Sequence, residues 1–324
     1  MTTHFSRRIA LQAALLACSA TPAFAQPAWP ARSLRLVVPF PPGGLVDTMA
    51  RLVGTRLAQE LGQPVVVDNK PGAGGNLGAA EAARAAPDGY TLLMASPALT
   101  IGPAVYRNLP YQPTQLAPVG LLGRVPNVLL VNPAGGVQRV EQLVARAKAA
   151  PGRLNYASNG NGTSLHLSAE LFKARTGTFV THVPYRGAAA AITALMAGEV
   201  DFMFDNLPSA IAQIQSGRLR ALAVTTPERS RALPAVPTLV EAGLPGFDVS
   251  AWFGVVAPAG LPGPVTACLG EALARIVQIP EVATAMQRQG AEPAFLDERA
   301  MGRFMATDAA QWQQVAARAK IVLD

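Results

Sequence analysis

The sequence predicts an α/β fold of two lobes, each a central sheet flanked by helices, with a ligand cleft between the lobes. Three observations lead there. The chain has 324 residues and half of them are apolar, enough for two cores. Units of strand, glycine-rich turn and helix recur twice in each half, the signature of a parallel sheet covered by helices. Between the halves, residues 119–122 and 128–131 are short apolar strands with no helix between them, as a crossover into a second domain requires.

In chain order, a strand at 33–38 runs into Pro39-Phe40-Pro41-Pro42-Gly43-Gly44 and a helix over 48–61. That helix repeats Met49, Leu52, Val53, Leu57 and Leu61 at helical spacing and stops at Gly62. A strand at 65–67 leads to Lys70-Pro71-Gly72-Ala73-Gly74-Gly75-Asn76, an alanine-rich helix to about 86, the turn Pro87-Asp88-Gly89 and a strand at 90–95. After the crossover come a strand at 154–157, a polar glycine turn at 158–163 and a helix at 164–173. A strand at 180–183, the turn Pro184-Tyr185-Arg186-Gly187 and a helix at 188–196 follow. A strand at 200–204 ends in Asp205-Asn206 before a helix at 209–216 and a strand at 220–225. The Pro-rich stretch 227–245 reads as extended connection, and a strand at 251–256 precedes three helices at 265–276, 280–289 and 299–322. Two crossings return the chain to its starting domain, so the lobes are expected at 26–125 with 250–324, and at 126–249.

The first 25 residues are of a different kind. Arg7 and Arg8 precede an apolar run over 9–20, and Ala23-Phe24-Ala25 fits the small-x-small cleavage pattern, so a signal peptide cut after Ala25 is expected. Ser6-Arg7-Arg8 loosely resembles a twin-arginine signal, which leaves the export route open. Leu15-Leu16-Ala17-Cys18 offers the alternative of a lipid anchor on Cys18. The mature chain keeps Cys268 alone, which excludes an internal disulfide; its apolar neighbours Val265, Leu269 and Leu273 make it a packing residue. The pI near 9.9 comes with only 15% charged residues, scattered and without basic runs interleaved with aromatics, so a nucleic-acid partner is not expected.

In open α/β sheets, ligands bind outside the carboxyl ends of the strands. The loops 40–47 and 70–76 lie there, and each runs into a helix whose N-terminus favours an anion. Neither carries a G-x-G-x-x-G spacing or a P-loop lysine, which excludes nucleotides. Asp47 reads as a cap or flank of its helix rather than a ligand contact, since it would repel an anion. On the facing side, Ser158, Asn159, Asn161, Thr163 and Ser164 bring hydroxyls and amides to a helix start, with Thr163 or Ser164 as N-cap. His166 is a structural residue or a neutral group on the cleft wall, and His182 a strand packing residue. Asp205 either lines the cleft or faces the start of the next helix. Arg186 could clamp a carboxylate, but an outward, solvated position is favoured.

Ser164 and His166, two apart on a helix, point about 200° from one another and form no nucleophile–base pair. There is no G-x-S-x-G elbow and no Cys/His cluster, so neither hydrolysis nor a metal or other cofactor is expected.

An ordered set of motifs spans the mature chain. It runs Val38-Pro39-Phe40-Pro41-Pro42-Gly43-Gly44 with Asp47 and Arg51, then Asn69-Lys70-Pro71-Gly72-Ala73-Gly74-Gly75-Asn76. It continues through His166-Leu167 with Glu170-Leu171-Phe172-Lys173, and Val183-Pro184-Tyr185-Arg186-Gly187. Phe204-Asp205-Asn206, Pro237-Thr238 with Glu241-Ala242-Gly243, and Trp252-Phe253-Gly254 complete it. In these the chain resembles the Bug (TctC-like) family, the periplasmic solute-binding receptors of tripartite tricarboxylate transporters. The resemblance implies a type II periplasmic-binding fold closing like a flytrap on a small carboxylate, working as a monomer with inner-membrane permease subunits. It implies first-lobe contacts at Phe40, Pro42, Gly43, Gly44 and Leu45, and at Ala73, Gly74 and Gly75, through main-chain N–H groups and ordered water. Second-lobe contacts map onto Ser158, Gly160, Thr163, His166, Tyr185, Gly187 and Asp205. Leu45 departs from the small or polar residue usual after the glycine pair, which points to a ligand less polar than citrate. An exported α/β hydrolase and a sensing receptor of the same fold stand as alternatives.

Overall fold

The computed structural model describes residues 29–185 and 187–323, so the leader, Cys18 and Arg186 lie outside the described residues. The compact body begins at Arg32. Its first strands, β1 (Leu34–Val38), β2 (Val65–Asn69) and β3 (Thr91–Ala95), run parallel in the order β2-β1-β3. Helix α1 (Leu45–Leu61) joins β1 to β2 and buries Met49, Val53 and Leu57, one turn apart. Gly62 ends it in the left-handed conformation, at φ 66°, where a Cβ is disfavoured. Helix α2 (Asn76–Ala83) joins β2 to β3, and α3 (Ala98–Val105) follows β3.

The crossover is one continuous strand of 16 residues, β4 (Leu116–Val131), rather than the two short strands expected. Pro118, Gly120, Gly123 and Pro126 interrupt its apolar run in the sequence; the first three flank two bulges in the ladder it shares with a later strand, β9 (Ser250–Pro258), and Pro126 ends that ladder opposite Ser250. In its first half β4 pairs antiparallel with β9 on one side and with β10 (Glu292–Asp297) on the other. In its second half its neighbours are β7 (Phe202–Asn206) and β8 (Arg220–Val224), again antiparallel. Beyond β7 lie β5 (Asn155–Ser158) and β6 (Thr181–Pro184), both parallel. The second lobe's helices are α4 (Val140–Ala149), α5 (Ser164–Thr176), α6 (Ala188–Ala197) and α7 (Leu207–Gln215).

The two chain crossings are tied together at one point. Thr225 and Asn127 exchange bonds, with the Thr225 N–H on the Asn127 carbonyl at 3.0 Å and the Asn127 N–H on Thr225 Oγ1 at 3.1 Å. Thr225 Oγ1 also donates to the Val249 carbonyl, where the chain enters β9.

After β9 come α8 (Gly263–Gln278), α9 (Pro280–Arg288), β10 and α10 (Glu298–Ala319). Strand β10 was not expected; Pro293 falls inside it, and it is an edge strand, where a missing N–H is tolerated. The final helices are expected to return to the first lobe, and the last one does more. It reaches both: Trp312, Val315 and Ala316 share one core cluster with Ile101 and Val105 of α3 and with Leu165 and Phe172 of α5.

Candidate functional site

The loop from β1 to α1 is fixed by a buried carboxylate. Asp47, in the first turn of α1, accepts the Gly43 N–H at 2.9 Å, Arg51 Nε at 3.0 Å and Asn69 Nδ2 at 2.9 Å. Asn69, the last residue of β2, also donates to the Phe40 carbonyl at 3.0 Å, so the end of β2 holds the loop that follows β1. Burial works to raise the Asp47 carboxyl, but the bonds from Arg51, Gly43 and Asn69 outweigh it and hold the group below its ordinary value. The charge of Asp47 is thus answered within the loop. The Gly43 N–H is engaged by Asp47 and is not a free donor. Among the described residues the Gly44 N–H has no acceptor; Gly44 is the N-cap of α1, and the N–H groups of the first turn behind it lack intrahelical partners. Pro42, Gly43 and Gly44 are exposed, and Leu45 is half-buried beside them.

The loop from β2 to α2 is a run of positive φ: Gly72 at 135°, Ala73 at 47°, Gly74 at 64° and Gly75 at 101°. Three glycines adopt these angles freely, while Ala73 bears the cost of a left-handed residue, about 1 kcal/mol. The Gly75 N–H closes a 3₁₀ turn onto the Gly72 carbonyl at 2.9 Å, so Gly75 too is not a free donor. Among the described residues the N–H groups of Ala73 and Gly74 have no acceptor. The two loops touch, since a Cβ on Gly75 would lie 3.4 Å from the Phe40 ring.

A third loop, which glycine patterning does not reveal, follows β3. Ser96 is buried, and its Oγ has no partner among the described residues. It occupies the strand-end position equivalent to Pro39 and Lys70, and a lone serine before Pro97 carries little signal in the sequence.

On the second lobe, Thr163 is the N-cap of α5, accepting the His166 N–H at 3.3 Å and donating to the Gly160 carbonyl at 2.9 Å. Ser158 Oγ lies 2.7 Å from His182 Nε2 and accepts the Gly160 N–H at 3.2 Å. His166 Nδ1 accepts the Gly162 N–H at 3.2 Å, which requires an unprotonated nitrogen. The two imidazoles stack at 4.0 Å, with Tyr156 stacked on His182 at 4.7 Å. Burial, and then the nearby Lys173 charge, pushes His166 down to about 4; burial and His166 push His182 down to about 3. His182 therefore does more than pack in a strand, for it fixes the serine that shapes the loop.

Asp205, the penultimate residue of β7, is fully buried. Its Oδ1 accepts the Asn206 N–H at 2.8 Å, and Oδ2 has no partner among the described residues. Burial pushes this carboxyl up to about 7. Asn206, not Asp205, occupies the N-cap of α7. The register pairs Ala157 with Met203, and Asn159 and Asp205 each follow two residues on; Asn159 Oδ1 is likewise buried without a partner among the described residues. The Tyr185 N–H bonds the Ser158 carbonyl at 2.9 Å, and Gly187 caps α6 at φ 97°. Phe40, Pro42–Leu45 and Ala73–Gly75 thus gather on the first lobe's carboxyl edge, and Ser158–His166, Tyr185, Gly187 and Asp205 on the second's.

The first edge presents N–H donors and the second hydroxyls and unpartnered oxygens. Ser158 is inaccessible and His182, held near 3, is a weak base at neutral pH, so their contact lacks the properties of a nucleophile–base pair. Among the described residues no group of histidines, cysteines and carboxylates could hold a metal ion, and no helix is long and apolar enough to cross a membrane.

The family model for the tripartite tricarboxylate transporter family receptor, TctC, matches residues 49–321. The chain belongs to this family. It is 40% identical over 290 residues to the protein BugT of Bordetella pertussis (strain Tohama I), a match covering 89% of each chain. Among solved structures, the R. palustris protein Rpa4515 with adipate superposes with a TM-score of 0.83 at 38% identity, covering 91% of this chain and 99% of that one. MatC of Rhodopseudomonas palustris with bound malate superposes at 0.77 with 33% identity, covering 89% and 99%. The receptor shares with these structures the mixed α/β architecture described above.

Proposed function

We propose that this receptor captures a small carboxylate between its lobes and passes it, unchanged, to membrane subunits of a tripartite tricarboxylate-type transporter. The observation that carries the reading is the pair of touching loops, 40–47 and 70–76, with free N–H groups at Gly44, Ala73 and Gly74 on one sheet edge. Main-chain donors at a helix start suit an anion, and the one carboxylate of these loops, Asp47, is taken up by Gly43, Arg51 and Asn69. Adipate and malate, bound by two relatives, are both dicarboxylates. On the facing lobe, Gly160, Thr163, His166, Tyr185 and Gly187 receive the rest of the ligand, and Ser158 and Asp205, buried in this structure, complete the set. The half-buried Leu45 favours a ligand whose chain is apolar beside the clamped group.

The site of action is the periplasm, after removal of the leader at Ala25, and the receptor works as a monomer. Fractionation with N-terminal sequencing tests the first point: a mature chain starting at Gln26 is expected, and a cytoplasmic full-length chain would refute export. Isothermal calorimetry against C4–C8 dicarboxylates, acidic amino acids and aromatic acids tests the main point, capture of a carboxylate without turnover. Saturable binding of one class with recovery of unaltered ligand is expected. Binding of none, or turnover of any, would overturn the reading.

A further inference from the structure

Tyr106 lies far from both glycine loops in the sequence and joins them in space. It ends α3, where its N–H bonds the Gly102 carbonyl at 3.0 Å. Its backbone is held from the other side by the chain's last residues. Leu323 pairs with it as a parallel bridge, with the Leu323 N–H on the Val105 carbonyl at 2.6 Å and the Arg107 N–H on the Leu323 carbonyl at 3.0 Å. The ring therefore has a fixed base, and it packs half-buried against the core cluster shared by α3, α5 and α10.

From that base the ring reaches one glycine in each lobe. A Cβ built on Gly74 would lie 2.7 Å from the Tyr106 hydroxyl, and a Cβ built on Gly162 would lie 3.6 Å from Tyr106 Cε2. Gly162 belongs to the turn that heads α5, and its N–H is the one accepted by His166. The same ring thus seats the anion-facing loop of one lobe and the helix-capping loop of the other. At Gly74, φ 64°, a side chain would crowd the hydroxyl; at Gly162, φ 70°, the ring is in ordinary contact distance and the crowding would come from Leu323 Cδ1, 2.7 Å from a built Cβ.

The hydroxyl has no hydrogen-bond partner among the described residues, although half-buried tyrosine hydroxyls ordinarily find one. Gly74 stands beside it, close enough that a built Cβ would lie 2.7 Å away, and the Gly74 N–H is also without an acceptor among the described residues. Two neutral donors side by side with nothing to accept from them describe the surroundings of an anion. Burial raises the phenol above its ordinary value, so it stays protonated and able to donate.

We infer that Tyr106 is a specificity-determining ligand contact, its hydroxyl donating with the Gly74 N–H to one carboxylate oxygen while its ring seats both loops in the closed receptor. This rests on the carboxylate-receptor reading and adds to it a side-chain donor in a site otherwise built from main chain.

The test is calorimetry of the full mature chain against the same carboxylate panel, adipate and malate included, for wild type, Tyr106→Phe and Tyr106→Ala. Tyr106→Phe keeps the ring and removes only the hydroxyl. The expected result is an unchanged melting temperature without ligand and affinity for the best probe weakened about 10-fold or more, the size of a lost bond to a charged group. Tyr106→Ala is expected to weaken it further, because both loops lose their seat. Wild-type affinity in Tyr106→Phe would overturn the inference while leaving the receptor reading intact. A lowered ligand-free melting temperature in Tyr106→Phe would also overturn it, making the hydroxyl structural. Failure of the wild type to bind any member would overturn the receptor reading and this inference together.

Discussion

Asn69 and Asp47 meet at 2.9 Å across the gap between neighbouring strand ends, amide to carboxylate. That bond makes the two loops of the first lobe one object, since Asn69 also holds the Phe40 carbonyl and Phe40 packs on Gly75. Replacing Asp47 by Ala leaves the Gly43 N–H and the Asn69 amide without their acceptor. A loss of about 2–4 kcal/mol in urea unfolding is expected, together with loss of carboxylate binding. An unchanged unfolding midpoint would mean the loop is held by something else. The Asp47 carboxyl sits below its ordinary value of 3.8, so its contribution is fully present above that pH and is lost as pH falls through the lower folded-state value.

Gly44 and Gly78 separate two uses of glycine. A Cβ on Gly44 would meet only the Pro41 carbonyl, at 3.9 Å, so Gly44→Val is expected to cost under about 1 kcal/mol while abolishing binding by blocking approach to the N–H groups. A Cβ on Gly78 would stand 2.9 Å from the Lys70 carbonyl and from Pro39 Cα, both backbone. Gly78→Ala is therefore expected to destabilise by about 1–3 kcal/mol, the cost of overpacking. Thermal melts beside calorimetry check the pair; normal affinity in Gly44→Val would remove that loop from the site.

Asp205→Asn is expected to stabilise the ligand-free protein at pH 8, on the order of 3 kcal/mol, while changing ligand preference. The folded carboxyl titrates near 7 against 3.8 when unfolded, so the native state binds more protons across that interval and stability falls as pH rises through it. Urea midpoints at pH 5 and pH 8 for both forms check this. Equal pH dependence in the two would place the titration elsewhere.

The stacked histidines act with the opposite sign. His166 and His182 titrate near 4 and 3 in the folded protein against 6.5 unfolded, so the unfolded chain takes up protons first and stability falls as pH drops below 6.5. In the Asp205→Asn background, where the opposing carboxyl is absent, His166→Gln is expected to flatten the loss between pH 6.5 and 4. The readout is the thermal midpoint across that range, and an unaltered slope would refute it.

The parallel units of the fold were legible because each repeats a local pattern: apolar strand, turn residues, helix with a buried stripe. Helix α3 was not, since Ala98–Val105 has apolar residues on every side and contains Pro103, leaving no periodicity to read. Helix α4 carries Val140, Leu143 and Ala147 on one face, a readable stripe that the preceding glycine turn obscured. At the site, glycine runs marked where a backbone could approach an anion, but not which N–H groups remain free. That depends on Asp47 reaching back to Gly43 and on the Gly72–Gly75 turn. Ser96 and Tyr106 carry no local signal at all, because their significance lies in what stands opposite them in space.

Strand β9 lies between β3 and β4, yet more than a hundred residues of chain separate it from either. When the chain is made from its N-terminus, β1, β2 and β3 can assemble among themselves, but the seam joining them to β4 stays open until Pro258 has appeared. The second lobe has all of its strands well before that, since β8 ends at Val224. The loops gathered at the ends of β1 to β3 thus have to wait for the late-made strand before they can face their counterparts. Long waits of this kind slow folding and keep strand edges uncovered.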